Sequence, residues 1–137
     1  VDPDRSMALI GHDLAFVAPN ATPRRFQYLM RRRADFTHEA YLRRYREIHS
    51  RFGIETPNIE GYVQHHVDLE LSEWLGAATA LRHEPCDSVS ELYLRSVGHF
   101  IEGIVADPDV GEAAQEDEEL FVDREQSFGF VHRVLED

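Results

Sequence analysis

The segment "FQYLMRRRADFTHEAYLRRYREIHSRFG", residues 26–53, decides the fold because a strand pattern runs directly into a helix pattern. Residues 26–33 are largely aromatic and apolar and follow Pro23, which is typical of a β-strand. Thr37 is a favourable N-cap, and Gly53 stands where a C′ glycine commonly ends a helix. Between these ends, residues at helical spacing predict one buried face: Tyr41, Tyr45, Ile48 and Phe52.

The rest of the chain adds three strand patterns and a second helix. The strands are predicted at 59–71, 88–94 and 127–136, the helix at 96–107, and an acidic helical segment at 111–121. The order β-α-β-β-α-β predicts a ferredoxin-like α+β fold with an antiparallel sheet. Helices cover one face of such a sheet, so the other face must be covered by something apolar or act as a binding surface.

We divide the chain into an N-terminal segment, residues 1–22, and one domain, residues 23–137. Residues 69–87 form a long, alanine-rich connection between the second and third strands, and we expect a short helix there. Two interpretations of this insertion stay open: a lid that carries Trp74, or a packed surface helix.

The two ends of the chain resemble each other. Residues 1–17, "VDPDRSMALIGHDLAFV", can be aligned with residues 122–137, "VDREQSFGFVHRVLED". The alignment has four identities: Val1 with Val122, Asp2 with Asp123, Ser6 with Ser127, and Leu14 with Leu135. Two hypotheses follow: the N-terminal segment is the last strand of an upstream copy of the domain, or it is an arm that adds a strand to this sheet.

Composition disfavours several classes of function. The formal net charge is -12, and a chain this acidic repels phosphate backbones, so we expect no nucleic-acid partner. Cys86 is the only cysteine, which rules out an intrachain disulfide. No apolar run approaches the ~20 residues that a membrane helix needs, and the first residues are charged, so we expect no membrane association and a cytoplasmic protein.

Four segments carry a family resemblance. They are "RRADFTHEAYLRRYREIHSRF" (32–52), "GYVQHHV" (61–67), "SVSELYLRSVGHF" (88–100) and "DEELFVDREQSFGFV" (117–131). In this order they resemble the EthD family, with two departures: Ser50-Arg51 replaces the usual Gly-Pro, and His65 replaces the usual asparagine. The resemblance implies a dimeric α+β barrel in which two sheets close face to face as a homodimer. It also implies a pocket between sheet and helices, no metal, and no organic cofactor.

Strand alternation selects among the candidate site residues. Tyr62, Gln64 and His66 lie on one face of their strand, whereas His65 lies on the other. His66 also falls on the histidine position of the family pattern. Together with His49, one turn after Tyr45, it forms our candidate acid/base pair.

Further candidates have supporting roles. Glu91 is expected to orient a histidine, which makes it the third candidate catalytic residue. His132 alternates with Phe128 and Phe130 and is expected on the side of His66. We expect a small hydrophobic substrate to contact eight residues: Tyr62, Gln64, Tyr28, Phe26, Trp74, Phe128, Phe130 and His132.

These residues predict a cofactor-independent lyase or isomerase, of cyclase or dehydratase type, acting on an oxygenated aromatic or polyketide-derived substrate. The eight histidines lack the helical spacings of metal ligands, and Cys86 lies among acidic residues that disfavour a thiolate. Two alternatives stay open: a cofactor-independent monooxygenase of phenols, and a non-catalytic binding protein of an oxygenase pathway. A purely structural role for each histidine is the competing interpretation.

Overall fold

The computed structural model describes residues 2–82 and 84–135. Its five strands are β1 (Gly11–Val17), β2 (Arg24–Met30), β3 (Gly61–Val67), β4 (Ser88–Leu94) and β5 (Phe128–Arg133). They form one antiparallel sheet in the order β1-β3-β4-β2-β5. The helices are α1 (His38–Arg44), a π-helical turn (Tyr45–His49), α2 (Ser50–Glu55), α3 (Leu69–Thr79), α4 (Val97–Ala106) and α5 (Pro108–Phe121).

The predicted ferredoxin-like α+β fold is confirmed. Strands β2 to β5 and the helices between them follow the order read from the sequence, and β1 is an additional edge strand paired with β3. The strand predicted at 59–71 is shorter, because Asp68 accepts a hydrogen bond from Leu71 N at 2.9 Å and begins α3. The last strand ends at Arg133, and the predicted end at Glu136 lies outside the described residues.

The first helix begins as predicted but does not end at Gly53. Thr37 Oγ1 accepts a hydrogen bond from Ala40 N at 3.1 Å, whereas α2 continues past Gly53 to Glu55. A glycine is needed inside this helix because the Tyr62 ring occupies the space of a side chain at that position.

The predicted apolar face of this helix is wrong at Ile48. The π-helical turn inserts extra chain into the helix, so the inward-facing phase moves by one residue. Ile48 is therefore 41% exposed, and His49 takes the buried place between Tyr45 and Phe52.

The main core lies between the helices and one face of the sheet, which we call the helix-covered face. Its buried residues come from β2, the first helix and α5: Met30, Tyr41, Tyr45, Phe121 and Val122. The opposite, open face carries a smaller cluster at one end: Leu29, Val67, Cys86 and Val89, with Met7 and Leu9 packed against it. Phe128 and Phe130 on the open face stay 53% and 43% exposed. Within the described residues, no helix is both long and apolar enough to cross a membrane.

Replacing Gly53 by alanine is expected to lower the free energy of unfolding by about 1–3 kcal/mol, because the new methyl group overlaps the buried Tyr62 ring. Gly111→Ala on α5 is the matched control, since no atom lies within 4 Å of the position that its new methyl group would take. The control is expected to gain up to about 1 kcal/mol from helix propensity. Urea denaturation midpoints at unchanged slope measure both changes, and equal effects of the two substitutions would contradict the packing argument.

Candidate active site

A cavity of about 470 Å³ lies between the helix-covered face of the sheet and helices α2, α4 and α5. One part of its wall is apolar: Phe26, Phe52, Leu92, Phe100 and Ile104. Tyrosine, histidine and glutamate side chains contribute to the rest. Mixed walls of this kind, with a few converging polar groups, are typical of small-molecule sites.

His49 lines this cavity. It is also one end of a buried chain of hydrogen bonds that runs through Asp117 to Arg44. Its Nδ1 lies 2.8 Å from Asp117 Oδ2, and Asp117 Oδ1 accepts a 2.5 Å hydrogen bond from Arg44 Nη2. Because Asp117 accepts from Nδ1–H, the neutral ring of His49 carries its lone pair on Nε2. Burial lowers the pKa of His49, with Arg44 and Arg51 adding to the effect and Asp117 opposing it. His49 is therefore arranged as a neutral base at physiological pH.

Glu118 places a carboxyl group beside that base. Its Oε1 lies 3.7 Å from His49 Nε2, and its Oε2 lies 3.7 Å from Arg124 Nε. Burial raises the pKa of Glu118 to about 7, with Asp117 adding to the rise and Arg124 opposing it. A substantial protonated fraction near neutral pH makes Glu118 a proton donor next to a proton acceptor.

The sequence analysis did not identify Asp117 and Glu118, because the acidic run "EDEE" is typical of a solvated helix face. One signal was present. Asp117 lies four residues before the buried Phe121 and four after Ala113, so it shares the inward phase of α5.

Tyr62 also lines this cavity, and its hydroxyl group is linked to His66 through the side chain of Gln64. Gln64 is fully buried, and its amide nitrogen donates to Tyr45 O at 2.9 Å and to Tyr62 Oη at 2.7 Å. Its Oε1 therefore accepts from His66 Nε2 at 2.8 Å. Since the Tyr62 oxygen accepts from Gln64, its own hydrogen is available to a different acceptor, and Tyr62 lines the cavity.

The structure does not bring His66 and His49 into one cavity. The Tyr45 ring lies between them, with its centroid 5.5 Å from that of His66 and 6.1 Å from that of His49. His66 instead lines a second cavity of about 570 Å³, together with His12 and Arg46. Burial lowers the pKa of His66 to about 4, and Arg46 contributes to the shift. His66 is therefore neutral and donates to Gln64.

Glu91 lies on the open face of the sheet, away from His49 and His66. Its Oε2 accepts from Gln27 Nε2 at 2.5 Å, and its Oε1 lies 3.8 Å from His65 Nε2. The neighbouring His65 lowers the pKa of Glu91 to about 2, and Glu91 in turn raises the pKa of His65. Glu91 thus lies beside His65 and not beside either member of the expected acid/base pair, His49 or His66.

The expectation that His132 shares a face with His66 is wrong. The register pairs Gly129, not Phe128 or Phe130, with Tyr28 of the helix-covered face. Phe128, Phe130 and His132 therefore point to the open face. Trp74 on α3 is 64% exposed and does not line the cavity of His49. Tyr28, Phe26 and Tyr62 do line it.

The fold and the cavity together define a ferredoxin-like α+β domain with a histidine and a glutamate side by side in a mixed cavity. The EthD domain model matches residues 33–125, and the chain belongs to the EthD family. No curated protein matched the chain. Among residues 2–82 and 84–135, no group of three or more histidine, cysteine or acidic side chains is placed to hold a metal ion.

Glu118→Gln is expected to change how stability depends on pH. The folded-state pKa of about 7 exceeds the ordinary value of 4.5, so the folded wild type binds this proton more tightly than the unfolded chain. The contribution of Glu118 to wild-type stability should therefore fall as pH rises from about 4.5 to about 7, and the variant should lack this loss, whatever the other titrating groups contribute to both proteins. Urea denaturation from pH 4 to pH 9 measures the difference, which should favour the variant increasingly up to about pH 7.

The control for this experiment is Glu119→Gln, on the exposed side of the same helical turn. It should follow the wild-type curve. Parallel curves for wild type and Glu118→Gln would show that the Glu118 carboxyl does not titrate near neutral pH.

Proposed function

We propose that this protein is a cofactor-independent lyase or isomerase that moves protons on a hydrophobic, oxygenated small molecule. The observation that carries the proposal is the pair of His49 and Glu118, a neutral base and a protonatable acid 3.7 Å apart in a mixed cavity. Environments that push two titratable groups toward opposite roles are typical of acid/base sites.

Dehydration of a β-hydroxy ketone illustrates the chemistry. His49 Nε2 takes the proton from the carbon beside the carbonyl, and the developing enolate oxygen accepts a hydrogen bond from Tyr62. Glu118 gives its proton to the departing hydroxyl, which leaves as water while the carbon–carbon double bond forms. His49 is then a cation and Glu118 an anion, and transfer of one proton between them restores the starting state. Cyclisation and isomerisation use the same two proton transfers.

The residues behind the pair hold it in place. Asp117 fixes the tautomer of His49 and stabilises its cationic form, and Arg44 holds Asp117. His66 acts through Gln64, whose amide donates to the Tyr62 oxygen and so leaves the Tyr62 hydrogen available to a substrate oxygen. We therefore propose His66 as a positioning residue and not as the acid or base expected from the sequence.

The cavity wall favours an aromatic or polyketide-like substrate. Phe26, Phe52 and Phe100 provide aromatic contact surface, and the volume of about 470 Å³ lies within the usual range for small-molecule sites. The proposal includes a homodimer through the open face. The exposure of Phe128 and Phe130 supports it, because neighbouring exposed aromatic residues commonly mark an interface.

The test of the chemistry is proton exchange and turnover with a panel of aryl β-hydroxy ketones, phenolic ketones and lactones in D₂O. The wild type should exchange the proton beside the carbonyl, and His49→Ala should lose at least about 100-fold of that rate. Glu118→Gln should retain exchange but lose dehydration, because it lacks the proton for the leaving hydroxyl. Dehydration by the wild type should fall above about pH 7, as Glu118 loses its proton.

His132→Gln on the open face is the matched control and should keep the wild-type rate. Turnover that consumes oxygen would instead favour the monooxygenase. Ligand binding by the wild type without exchange or turnover would favour a non-catalytic binding protein.

His66→Ala should weaken ligand binding without touching the ligand. A phenolic ketone at about a hundred times its Kd should add roughly 2.7 kcal/mol to wild-type stability, a shift of a few degrees in Tm. The shift should shrink in His66→Ala, return in part in His66→Gln, which keeps an N–H donor, and persist in His12→Ala. Equal shifts for wild type and His66→Ala would contradict the positioning role.

A further inference from the structure

A second cavity, of about 570 Å³, lies on the helix-covered side of the sheet, beyond the Tyr45 ring from the cavity of His49. We call the cavity of His49 the main cavity. Neither member of the proposed acid/base pair lines the second cavity, whose apolar wall includes Leu14, Leu42 and Leu69. Its size and its mixture of apolar and polar walls are in the usual range for small-molecule sites.

Strand β1 builds one wall of the second cavity. His12 and Leu14 lie on β1, and the register places them opposite His66 and Gln64 of β3. This strand belongs to the N-terminal segment, whose first residue, Val1, lies outside the described residues. It precedes residues 33–125, the part of the chain that the family model matches. The second cavity is therefore formed in part by a strand that lies outside the matched region.

His66 presents an unused hydrogen-bond acceptor to this cavity. The ring is only 8% exposed, and its Nε2–H donates to Gln64 Oε1. Burial, with a contribution from Arg46, lowers the pKa of His66 to about 4, so the neutral ring carries its lone pair on Nδ1. Among residues 2–82 and 84–135 no group hydrogen-bonds Nδ1, and the atom is not sealed from the cavity. A ligand satisfies such an atom with an O–H or N–H donor.

Arg46 and His38 make the cavity wall favourable to an anion. The Arg46 guanidinium group is half-exposed, and its one ion pair in the described part of the chain is with the exposed Glu47, at 2.9 Å. His38 Nδ1 lies 2.6 Å from Asp87 Oδ1, and its Nε2 lies 2.9 Å from Val67 O. Because both ring nitrogens face acceptors, this arrangement favours the cationic ring.

The acidic residues of the wall restrict an anion to one end of the cavity. Asp68 and Glu70 lie where β3 ends and α3 begins, and the Asp68 carboxylate is occupied as the N-cap of that helix. Arg46 lies toward the other end, because it follows Tyr45, whose carbonyl oxygen accepts from Gln64. A carboxylate is therefore repelled from the α3 end and attracted toward Arg46.

We propose that the second cavity binds a small hydroxylated carboxylic acid, with its hydroxyl group on His66 Nδ1 and its carboxylate on Arg46. The leucine side chains of the wall enclose the carbon skeleton between these two polar ends. Calorimetry on the full chain without any substrate measures this binding, so the site stands or falls independently of the proposed function.

The bound acid extends a chain of hydrogen bonds that donates in one direction toward the main cavity. Its hydroxyl group donates to His66, the Nε2–H of His66 donates to Gln64, and the Gln64 amide donates to the Tyr62 oxygen. Hydrogen bonds in such a chain polarise one another, so an occupied second cavity strengthens the donor that Tyr62 offers to a substrate. This coupling, unlike the site itself, rests on the proposed function.

Isothermal titration calorimetry tests the site with three phenolic acids of increasing length: para-hydroxybenzoate, para-hydroxyphenylacetate and para-hydroxyphenylpropionate. At least one should bind with a Kd below about 1 mM. The matched acid without the hydroxyl group should bind about tenfold more weakly, because His66 Nδ1 then has no donor. The methyl ester should bind about fivefold more weakly, because it lacks the charge. Failure of all three acids to bind, or equal affinity with and without the hydroxyl group, overturns the proposal.

Arg46→Met tests the carboxylate contact. The variant should bind the acid about fivefold more weakly and the methyl ester as the wild type does, because the charge is lost and the apolar stem is kept. Arg43→Met, which removes an equal charge from an exposed position on α1, is the matched control and should keep the wild-type Kd. Equal losses of acid binding in the two variants overturn the assignment of Arg46.

His49→Ala shows which cavity holds the acid. The variant should keep the wild-type Kd for the acid, since His49 lines the main cavity and not the second one. In long-range proton–nitrogen NMR spectra, the His66 Nδ1 resonance should move when the hydroxylated acid binds and stay in place with the matched acid that lacks the hydroxyl group. Loss of binding in His49→Ala, or an unchanged Nδ1 resonance, places the acid elsewhere and overturns the proposal.

The coupling is measured with the uncharged phenolic ketone as the ligand of the main cavity. Its Kd should fall about threefold when the second cavity is saturated with the phenolic acid, and the ketone should tighten acid binding by the same factor. Arg46→Met at the same acid concentration should show a smaller effect. An unchanged ketone Kd overturns the coupling. A ketone that binds in neither state counts against the proposed function alone, because the calorimetric result for the acid does not depend on it.

Discussion

The buried carboxylate of Asp117 joins the two halves of the helical layer. It accepts hydrogen bonds from Arg44 on α1 and from His49 on the π-helical turn, while its own helix α5 carries Glu118 into the cavity. A buried charge is tolerated only when it is paired and hydrogen-bonded, so the three elements must stay in one arrangement. The spacing of base and acid in the cavity depends on this constraint.

The π-helical turn makes that constraint possible. A regular α-helix with the same residues would bury Ile48 beside Tyr45 and leave His49 at the edge of the apolar face, as the helical spacing predicts. The turn instead exposes Ile48 and brings His49 into contact with Phe52 and Phe121, with ring centroids 5.4 and 5.3 Å apart. Turns of this type are frequent at functional sites, because they redirect one side chain without ending the helix.

The sheet separates three polar environments. His49 and Glu118 share the main cavity, His66 lies beyond the Tyr45 ring in a second cavity, and Glu91 with His65 occupies the open face. Gln64 links the two cavities, because its amide bonds His66 on one side and Tyr62 on the other. On the open face, the edge strand β1 supplies Asp13, and the Asp13 carboxylate hydrogen-bonds the His65 ring.

The sequence by itself determined what is local. Residue spacing within one segment was enough to predict the N-cap at Thr37 and the common face of Tyr62 and His66. The succession of such segments along the chain gave the order of the elements and the family pattern. Only the tertiary structure decided that Glu118 meets His49 and that His132 faces away from His66. The physical reason is that periodicity relates residues within an element but not between elements. Inter-strand register, the phase shift of a π-helical turn and burial of an acidic helix face are fixed by long-range packing.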